Sequence, residues 1–234
     1  MATPHAVIAQ AEMPAWGDFA RSRDESAFPE LWDDLCFAWD GGLGNTGARL
    51  MDVSGWNAHA PVTSASWGWG RQHEGVQFTG SSPSAALTDY APLSGVSRFT
   101  IVCFGNQGAG GNADGCWMGG ATAYNASIFF GRWNTGAANF QMYVNTQQLG
   151  KTGGFSQGDD HVMGASYNAD GLLRMYQDGV EITSASATAG AVGAHTGMVI
   201  GGQSTFSLYA DVDMYSAMAW RRELTPWEMW ILGN

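Results

Sequence analysis

Glycine is the residue that most constrains what this chain can fold into. Its 33 glycines divide the sequence into short runs rich in Val, Ile, Thr, Phe, Tyr and Trp, an alternation typical of β-sandwiches and barrels. No window carries the apolar stripe of a long amphipathic helix. Asp178-Gly179 lies between two alternating runs and predicts a tight hairpin, because such a turn needs positive φ. The sequence therefore predicts an all-β protein.

A short helix is predicted at the C-terminus. Thr225 is placed to cap it, a proline follows at its first position, and Glu228 completes a capping box. Trp227, Trp230 and Ile231 are spaced to cover one face. We expect this helix to dock on the sandwich through Trp227, Trp230 or both, and a glycine to end it.

Charge excludes one class of partner. Charged residues make up 13% of the chain, and its formal net charge is −11. Because no basic stripe is present to neutralise phosphates, we expect no nucleic-acid partner. A surface composed mostly of Ser, Thr, Asn, Gln and Gly suits neutral contacts with sugars or neighbouring subunits. No run of 18 apolar residues marks a membrane span.

The three cysteines cannot all pair in disulfides. Cys36 and Cys103 lie within apolar runs, and Cys116 lies beside Trp117 in a glycine-rich segment. Free cysteine is among the most buried residue types. We therefore expect buried thiols rather than a disulfide framework.

Several motifs resemble those of laminin G-like domains, in the concanavalin A-like lectin and glucanase superfamily (bacterial and phage type). In chain order they are Leu31-Trp32 to His59, Gly75 to Gly80, Phe99 to Phe104, Tyr176 to Glu181 and Trp220 to Asn234. The resemblance implies a two-sheet antiparallel jelly-roll sandwich over residues 31–234, with an N-terminal arm of residues 1–30 and a short closing helix. Such folds include enzymes, lectins, adhesins and structural modules, so the ligand stays open.

The sequence argues against catalysis. Glucanases of the superfamily carry a strand with Glu-x-Asp-x-(x)-Glu, whose alternation brings acids to one sheet face. The nearest match here is Asp211 and Asp213, which share a face but lack both glutamates, while Val212 and Met214 point inward. No nucleophile elbow, zinc motif or phosphate loop occurs. We expect a protein that is not an enzyme.

No cofactor is predicted, although a Ca²⁺ ion is an alternative. Members of the superfamily often hold Ca²⁺ at one rim, and oxygen ligands suit that ion. Asp114, Asp159 and Asp160 are weak candidates because no complete calcium loop is present. Asp52 is better explained as closing its own Ser54-Gly55 turn through an Asx hydrogen bond.

Glycan binding would require exposed aromatic rings, because a flat sugar face stacks on Trp or Tyr. The Gly/Asn-rich segment 105–139 offers Trp117, Tyr124, Trp133 and Asn134 as candidates. The alternative is that most of these rings are buried anchors, since Trp is highly buried on average.

The N-terminal arm suggests a structural role. It holds Trp16, Phe19 and Phe28 without a core of its own, so we expect these rings to dock on a partner, or alternatively on their own domain. Near its end, Phe28 and Leu31 begin a helical spacing that predicts one or two turns packed under the sandwich.

The first 30 residues show neither the basic nor the apolar region of a secretory signal peptide. Laminin G-like modules usually work outside cells, yet no export signal is seen. A phage protein would explain this, because it is made in the host cytoplasm and exposed only after lysis. The first hypothesis is a non-catalytic phage virion structural protein, a capsid decoration or surface module on the virion surface, contacting capsid or other virion proteins and neighbouring copies. The second is an extracellular glycan-binding lectin or adhesin that contacts cell-surface glycans, and the third is a degenerate glucanase-like domain.

Overall fold

The computed structural model describes residues 24, 26, 28–40, 49–63, 65–69, 74–79, 85–88, 90–107, 115–121, 127–132, 139–152, 158–203 and 208–234. Over these residues the chain forms strands, a 3₁₀ helix at Pro29–Trp32 and an α-helix, α1, at Pro226–Gly233. None of the helices in the described ranges is both long and apolar enough to cross a bilayer.

The strands are short, as the spacing of glycines predicts. Their bounds are β1 Leu35–Asp40, β2 Arg49–Leu50, β3 Ala60–Thr63, β4 Ser66–Trp69, β5 Glu74–Thr79, β6 Ala85–Thr88, β7 Arg98–Gln107, β8 Gly115–Gly120, β9 Ile128–Arg132, β10 Asn139–Val144, β11 Gln147–Thr152, β12 Asp160–Asn168, β13 Leu172–Gln177, β14 Val180–Ser186, β15 Met198–Ile200, β16 Gly202–Gln203, β17 Leu208–Tyr209 and β18 Asp211–Trp220.

These strands form two sheets. The first has the order β14-β13-β12-β7-β18-β5-β4, with β1 also paired to β18. The second has the order β11-β10-β9-β8-β15-β6-β3-β2. In addition, β17 pairs with both β8 and β16. Neighbouring strands pair antiparallel except for β17, which meets β8 in parallel at one residue pair. The prediction of a two-sheet jelly-roll sandwich is confirmed.

The main core lies between the two sheets. Alternate residues of the long strands point into it, such as Ile101 and Cys103 on β7 and Ala217 on β18, facing Phe130 and Phe140 from the second sheet. This alternation follows from the two-residue period of a strand. All three cysteines are buried and unpaired, as predicted. Burial raises the pKa of Cys116 to about 12, so this thiol is inert at neutral pH.

A second apolar cluster lies on the outer face of the first sheet. Val102, Met218 and Trp220, which alternate with the core residues, meet the 3₁₀ helix through Leu31 and α1 through Leu232. The indole Nε1 of Trp220 donates to the carbonyl of Leu31 at 2.6 Å. The predicted helical turns near the N-terminus are therefore present, and they and α1 cover the same sheet face.

Helix α1 has the predicted start but a different buried face. The Oγ1 of Thr225 accepts from the backbone N–H of Glu228 at 3.2 Å, and the Glu228 carboxylate accepts from the Thr225 N–H at 2.7 Å. Met229, Ile231 and Leu232 carry the apolar burial, while Trp230 is half-buried. Helix α1 was expected to dock on the sandwich through Trp227, Trp230 or both. It docks through Trp230, which packs against the second apolar cluster, while Trp227 is exposed, because a two-turn helix buries only the face toward the sheet.

The hairpin between β13 and β14 has the predicted turn. Asp178 and Gly179 have φ of 49° and 77°, as a primed turn requires. A Cβ at Gly179 would lie 2.9 Å from the Cα of Trp230. Glycine thus serves both the turn and its close contact with α1.

Asp52 organises the turn that follows β2. Its carboxylate accepts four hydrogen bonds, from the backbone N–H groups of Ala38, Ser54 and Ala58 and from the Ser54 hydroxyl, at 2.9–3.0 Å. The Asp52 N–H donates to Nδ1 of His59 at 3.0 Å. The predicted Asx turn is confirmed, and it also ties the turn to β1.

Candidate functional site

An open pocket of about 720 Å³ lies where the 3₁₀ helix and α1 meet at one end of the first sheet. We call it the Trp227 pocket. Three structural parts supply its lining: the 3₁₀ helix and the turn after it, the segment after β18, and the first turn of α1. Its lining residues are Glu30, Asp33, Asp34, Arg222, Thr225, Trp227 and Glu228.

A partly buried ion pair forms part of the pocket wall. The Arg222 guanidinium donates through Nη1 and Nη2 to both carboxylate oxygens of Glu228, at 3.1 and 2.6 Å. It also donates to the backbone carbonyls of Glu30 and Asp33, at 2.7 and 2.8 Å. Such two-point pairing is geometrically specific. Arg222 therefore joins the N-terminal segment to α1 and holds the pocket in shape.

The charge state of Glu228 follows from these contacts. Burial by itself would raise the pKa of its carboxyl, but the hydrogen bonds from Arg222 and Thr225 outweigh burial and lower the pKa below the ordinary value. Glu228 is therefore a carboxylate at neutral pH. Its charge is balanced by Arg222, and its oxygens are engaged by protein donors.

Trp227 provides a flat apolar wall. Its side chain is 60% exposed, and its ring stacks on that of Trp230 with centroids 5.0 Å apart and an interplanar angle of 13°. The two residues are three positions apart on α1, where side chains are neighbours. The half-buried Trp230 supports one face of Trp227, which favours one orientation of the exposed ring.

The remaining lining is acidic. The side chains of Glu30, Asp33 and Asp34 are exposed at the pocket, whereas the Arg222 charge is already paired. Asp34 has a φ of 59°, and its carbonyl accepts from the Arg221 N–H at 2.9 Å. Carboxylates accept hydrogen bonds from hydroxyl or ammonium groups. The pocket thus offers a flat ring beside a set of acceptors.

The predicted glycan-binding residues occupy other places. Trp117 is fully buried in the main core; its Nε1 donates to Gln107 Oε1 at 2.9 Å, and its ring packs edge-on against Phe140. A ring without exposed surface cannot stack on a sugar, so Trp117 is corrected to a core residue. Tyr124, Trp133 and Asn134 lie outside the described residues.

The predicted docking arm lies mostly outside the described residues, which exclude Trp16 and Phe19. Phe28 is described, and it is half-buried against the outer cluster of its own domain. This contact favours, for Phe28, the alternative in which the arm packs on its own domain. Docking on a partner through the arm stays a prediction.

Of the predicted Ca²⁺ ligands, the structure describes Asp159 and Asp160. Asp160 Oδ1 accepts from Asn106 Nδ2 at 2.8 Å and from the Tyr215 hydroxyl at 3.1 Å. Asp159 is exposed, and Asp114 is not among the described residues. In the ranges that the structure describes, no three His, Cys, Asp or Glu side chains are grouped to hold a metal ion. A Ca²⁺ site stays an untested alternative.

Asp211 and Asp213 share the outer face of β18, while Val212 and Met214 point into the core, as predicted. Burial raises the pKa of both carboxyls, and for Asp213 the nearby Asp211 and Asp160 charges raise it further, against a hydrogen bond from Gln77.

We predict that the double variant Asp211→Asn, Asp213→Asn is more stable than the wild type at pH 7. Because the folded-state pKa values are raised, each carboxylate costs folding free energy above its ordinary pKa of about 4, and an amide removes that cost. Thermal melts between pH 3 and 8 should show a gain that disappears as the pH falls below about 4.

The exposed Asp170→Asn variant is the control, and it should melt like the wild type. A double variant that melts lower at pH 7 would contradict the prediction. The same proteins test catalysis: we expect no hydrolysis of β-glucan by the wild type. Activity lost in the double variant would overturn the expectation that this protein is not an enzyme.

Sequence reasoning missed the Trp227 pocket. Trp227 and Trp230 were both candidates for docking on the sandwich, and the motifs that include Asp33 and Arg222 predicted the fold but no site. One signal was available. Met229, Ile231 and Leu232 already supply enough apolar side chains for α1 to pack on the sheet, so Trp227 is not needed for packing.

Solved structures share this fold. The binding domain of Paraclostridial Mosquitocidal Protein 1 matches with a TM-score of 0.64 and 15% identity, over 87% of this chain and 52% of that chain. Trypanosoma rangeli sialidase in complex with sialic acid matches with a TM-score of 0.66 and 15% identity, over 85% and 32%. This chain thus spans about half or less of these two proteins.

A single domain matches over nearly its full length. Domain 4 of an extracellular arabinanase from Geobacillus stearothermophilus, in complex with arabinotriose, has a TM-score of 0.67 at 12% identity, over 86% of this chain and 98% of that chain. The shared fold is an antiparallel β-sandwich jelly roll. No family model and no curated protein sequence matches the chain. At these identities, the likenesses establish the fold alone.

Proposed function

We propose that this protein is a non-catalytic carbohydrate-binding domain and that the Trp227 pocket holds the sugar. The observation that carries this proposal is the exposed Trp227 ring, which is supported from behind by Trp230 and lies beside exposed carboxylates. Aromatic rings with a fixed orientation provide large contact area at low entropic cost. A sugar presents both a flat C–H face for the ring and hydroxyls for the acceptors.

The fold likenesses support this proposal. Domain 4 of the arabinanase, which this chain covers over 98% of its length, is in complex with arabinotriose, a neutral sugar. A domain of this size and fold therefore occurs together with a neutral sugar ligand. The prediction of a glycan-binding module, placed second on sequence alone, gains support from these likenesses.

Electrostatics favours a neutral sugar. Glu30, Asp33 and Asp34 contribute negative charge at the pocket, while Arg222 is paired with Glu228. The whole chain has a formal net charge of −11. A sugar carboxylate or sulfate would be repelled by a surface of like charge. We therefore propose neutral oligosaccharides, rather than sialylated or sulfated ones, as ligands.

Glu228 does not fit the role of a catalytic acid. A glycosidase needs a protonated carboxylic acid whose pKa is raised, whereas Arg222 and Thr225 lower the pKa of Glu228 against the effect of burial. That the protein is not an enzyme stays an expectation from the sequence. No finding favours the virion role or capsid partners, so these stay predictions.

The test is the affinity of Trp227→Ala for neutral oligosaccharides. Wild-type protein is screened by calorimetry against arabino-, xylo- and gluco-oligosaccharides, with sialylated and sulfated glycans as anionic comparisons. Trp227→Ala should weaken the best neutral ligand tenfold or more, since central aromatic contacts are worth about 2 kcal/mol. Trp227→Phe, which keeps a ring, should retain most of the affinity.

Val180→Ala is the control, because Val180 is exposed and lies outside the pocket. Trp227→Ala should melt close to the wild type, since the lost side chain is mostly exposed. If the wild type binds a neutral glycan and Trp227→Ala binds it equally well, this pocket is not the site. Exclusive binding of anionic glycans would contradict the proposed specificity.

A further inference from the structure

A second exposed aromatic ring lies beside the same turn that lines the Trp227 pocket. The Trp56 side chain is 49% exposed. Its ring stacks on Tyr90 with centroids 5.7 Å apart and an interplanar angle of 19°. Its Nε1 donates to the carbonyl of Leu35 at 3.1 Å. Like Trp227, Trp56 is therefore an exposed indole held from one side by a second aromatic ring.

The two rings border one short segment of chain. Trp56 is bonded to Leu35, while Asp33 and Asp34, the two residues before it, line the Trp227 pocket. Two residues of extended chain span at most about 7 Å. The Asp34 carbonyl is held by the Arg221 N–H, at the end of the strand that pairs with β1. The Asp33–Leu35 segment, which contacts the Trp227 pocket and Trp56, is thus tied to the sheet.

Several polar side chains near the Asp33–Leu35 segment are exposed to solvent. Arg221, Asp34 and Asn57 are all exposed. The charge of Arg221 is close enough to lower the pKa of the Tyr90 hydroxyl, although burial and other charges leave that pKa raised overall. The exposed groups next to Trp56 and to the Trp227 pocket therefore include both donors and acceptors.

We propose that Trp56 is a second contact for the same ligand, so that the protein binds an internal stretch of a neutral polysaccharide chain rather than a single terminal sugar. This inference rests on the proposed function and specifies its ligand class. A ligand that contacts both rings has to pass the Asp33–Leu35 segment, which requires a chain of several sugar units rather than one. A second contact by an already bound chain is intramolecular, so it strengthens binding without a separate association cost.

The experiment compares a disaccharide with a hexasaccharide of the neutral sugar that the wild type prefers. The wild type should bind the hexasaccharide more tightly. Trp56→Ala should weaken the hexasaccharide about tenfold, equal to about 1.4 kcal/mol, and leave the disaccharide unchanged. Trp227→Ala should weaken both. Trp56→Phe, which keeps an aromatic ring, should retain most of the advantage of length.

A second measurement uses the unmodified protein and does not depend on how the variants fold. In NMR spectra, the hexasaccharide should shift the indole N–H signals of both Trp56 and Trp227, and the disaccharide should shift that of Trp227 alone. The inference is overturned if wild type and Trp56→Ala bind the hexasaccharide with equal affinity, or if the hexasaccharide does not shift the Trp56 signal. Either result leaves the proposed function intact. If Trp227→Ala binds both the disaccharide and the hexasaccharide as tightly as the wild type does, the proposed function is overturned.

Discussion

Removal of residues 225–234 should lower the melting temperature by about 10 °C or more, or leave a protein that aggregates. The deleted segment includes Met229, Ile231 and Leu232, which are buried against the outer face of the first sheet. Burying each such side chain contributes about 1.5–3 kcal/mol. Their sum approaches the whole stability of a typical domain, about 5–15 kcal/mol.

The deletion has a second consequence, because it also removes Glu228. Arg222 loses both carboxylate contacts, and Trp220 and Met218 lose part of the cover over their apolar surface. Calorimetry or circular dichroism would measure the change. Binding of a dye specific for exposed apolar surface should rise in the truncated protein.

Two full-length variants serve as controls for the truncation. Thr225→Ala removes only the cap and should cost about 1 kcal/mol. Trp227→Ala removes a mostly exposed ring and should cost less than Leu232→Ala, which we expect to cost about 2–5 kcal/mol. A truncated protein that melts like the full chain would show that α1 is peripheral to the fold.

Asp52→Ala should destabilise the protein by about 2–6 kcal/mol, because two buried backbone N–H groups lose their acceptor at about 1–3 kcal/mol each. These are the N–H groups of Ala38, in β1, and Ala58. Urea unfolding followed by tryptophan fluorescence would measure the loss. We expect the midpoint to fall with little change in slope.

The matched control for this variant is Ser54→Ala, which removes one hydroxyl that donates to Asp52 and leaves the carboxylate in place. It should cost about 1 kcal/mol. Asp52→Asn should fall between the two, because one amide oxygen remains as an acceptor while the amide nitrogen meets N–H donors. Equal stability of Asp52→Ala and Ser54→Ala would mean that water replaces the carboxylate.

The parts of the fold that could be predicted from the sequence depend on residues close together in the chain. Asp178-Gly179 specifies its hairpin, Thr225 and Glu228 specify a helix start, and Asp52 specifies a turn with Ser54. Each device joins residues at most three positions apart. The prediction of the sandwich was more general, since short alternating strands can pair in several orders.

The candidate site could not be predicted in the same way. Trp117 lies in a glycine-rich segment and is fully buried, whereas Trp227 lies at a helix start and is 60% exposed. Neither local sequence indicates which tryptophan is exposed. Burial of a tryptophan depends on which strands and helices surround it, and these come from distant parts of the chain. The same reason explains why the sequence favoured segment 105–139 as the glycan site instead of the first turn of α1.

By itself, the sequence determined that the protein is all-β and strongly acidic, and where its tight turns and its closing helix lie. The tertiary structure alone decided which aromatic rings face solvent and which polar groups meet them. Arg222 shows the physical reason: it holds the Trp227 pocket together through the carbonyls of Asp33 and Glu30, 189 and 192 positions away in the chain. Backbone carbonyls carry no signature of residue type, so only the folded chain brings such partners into contact.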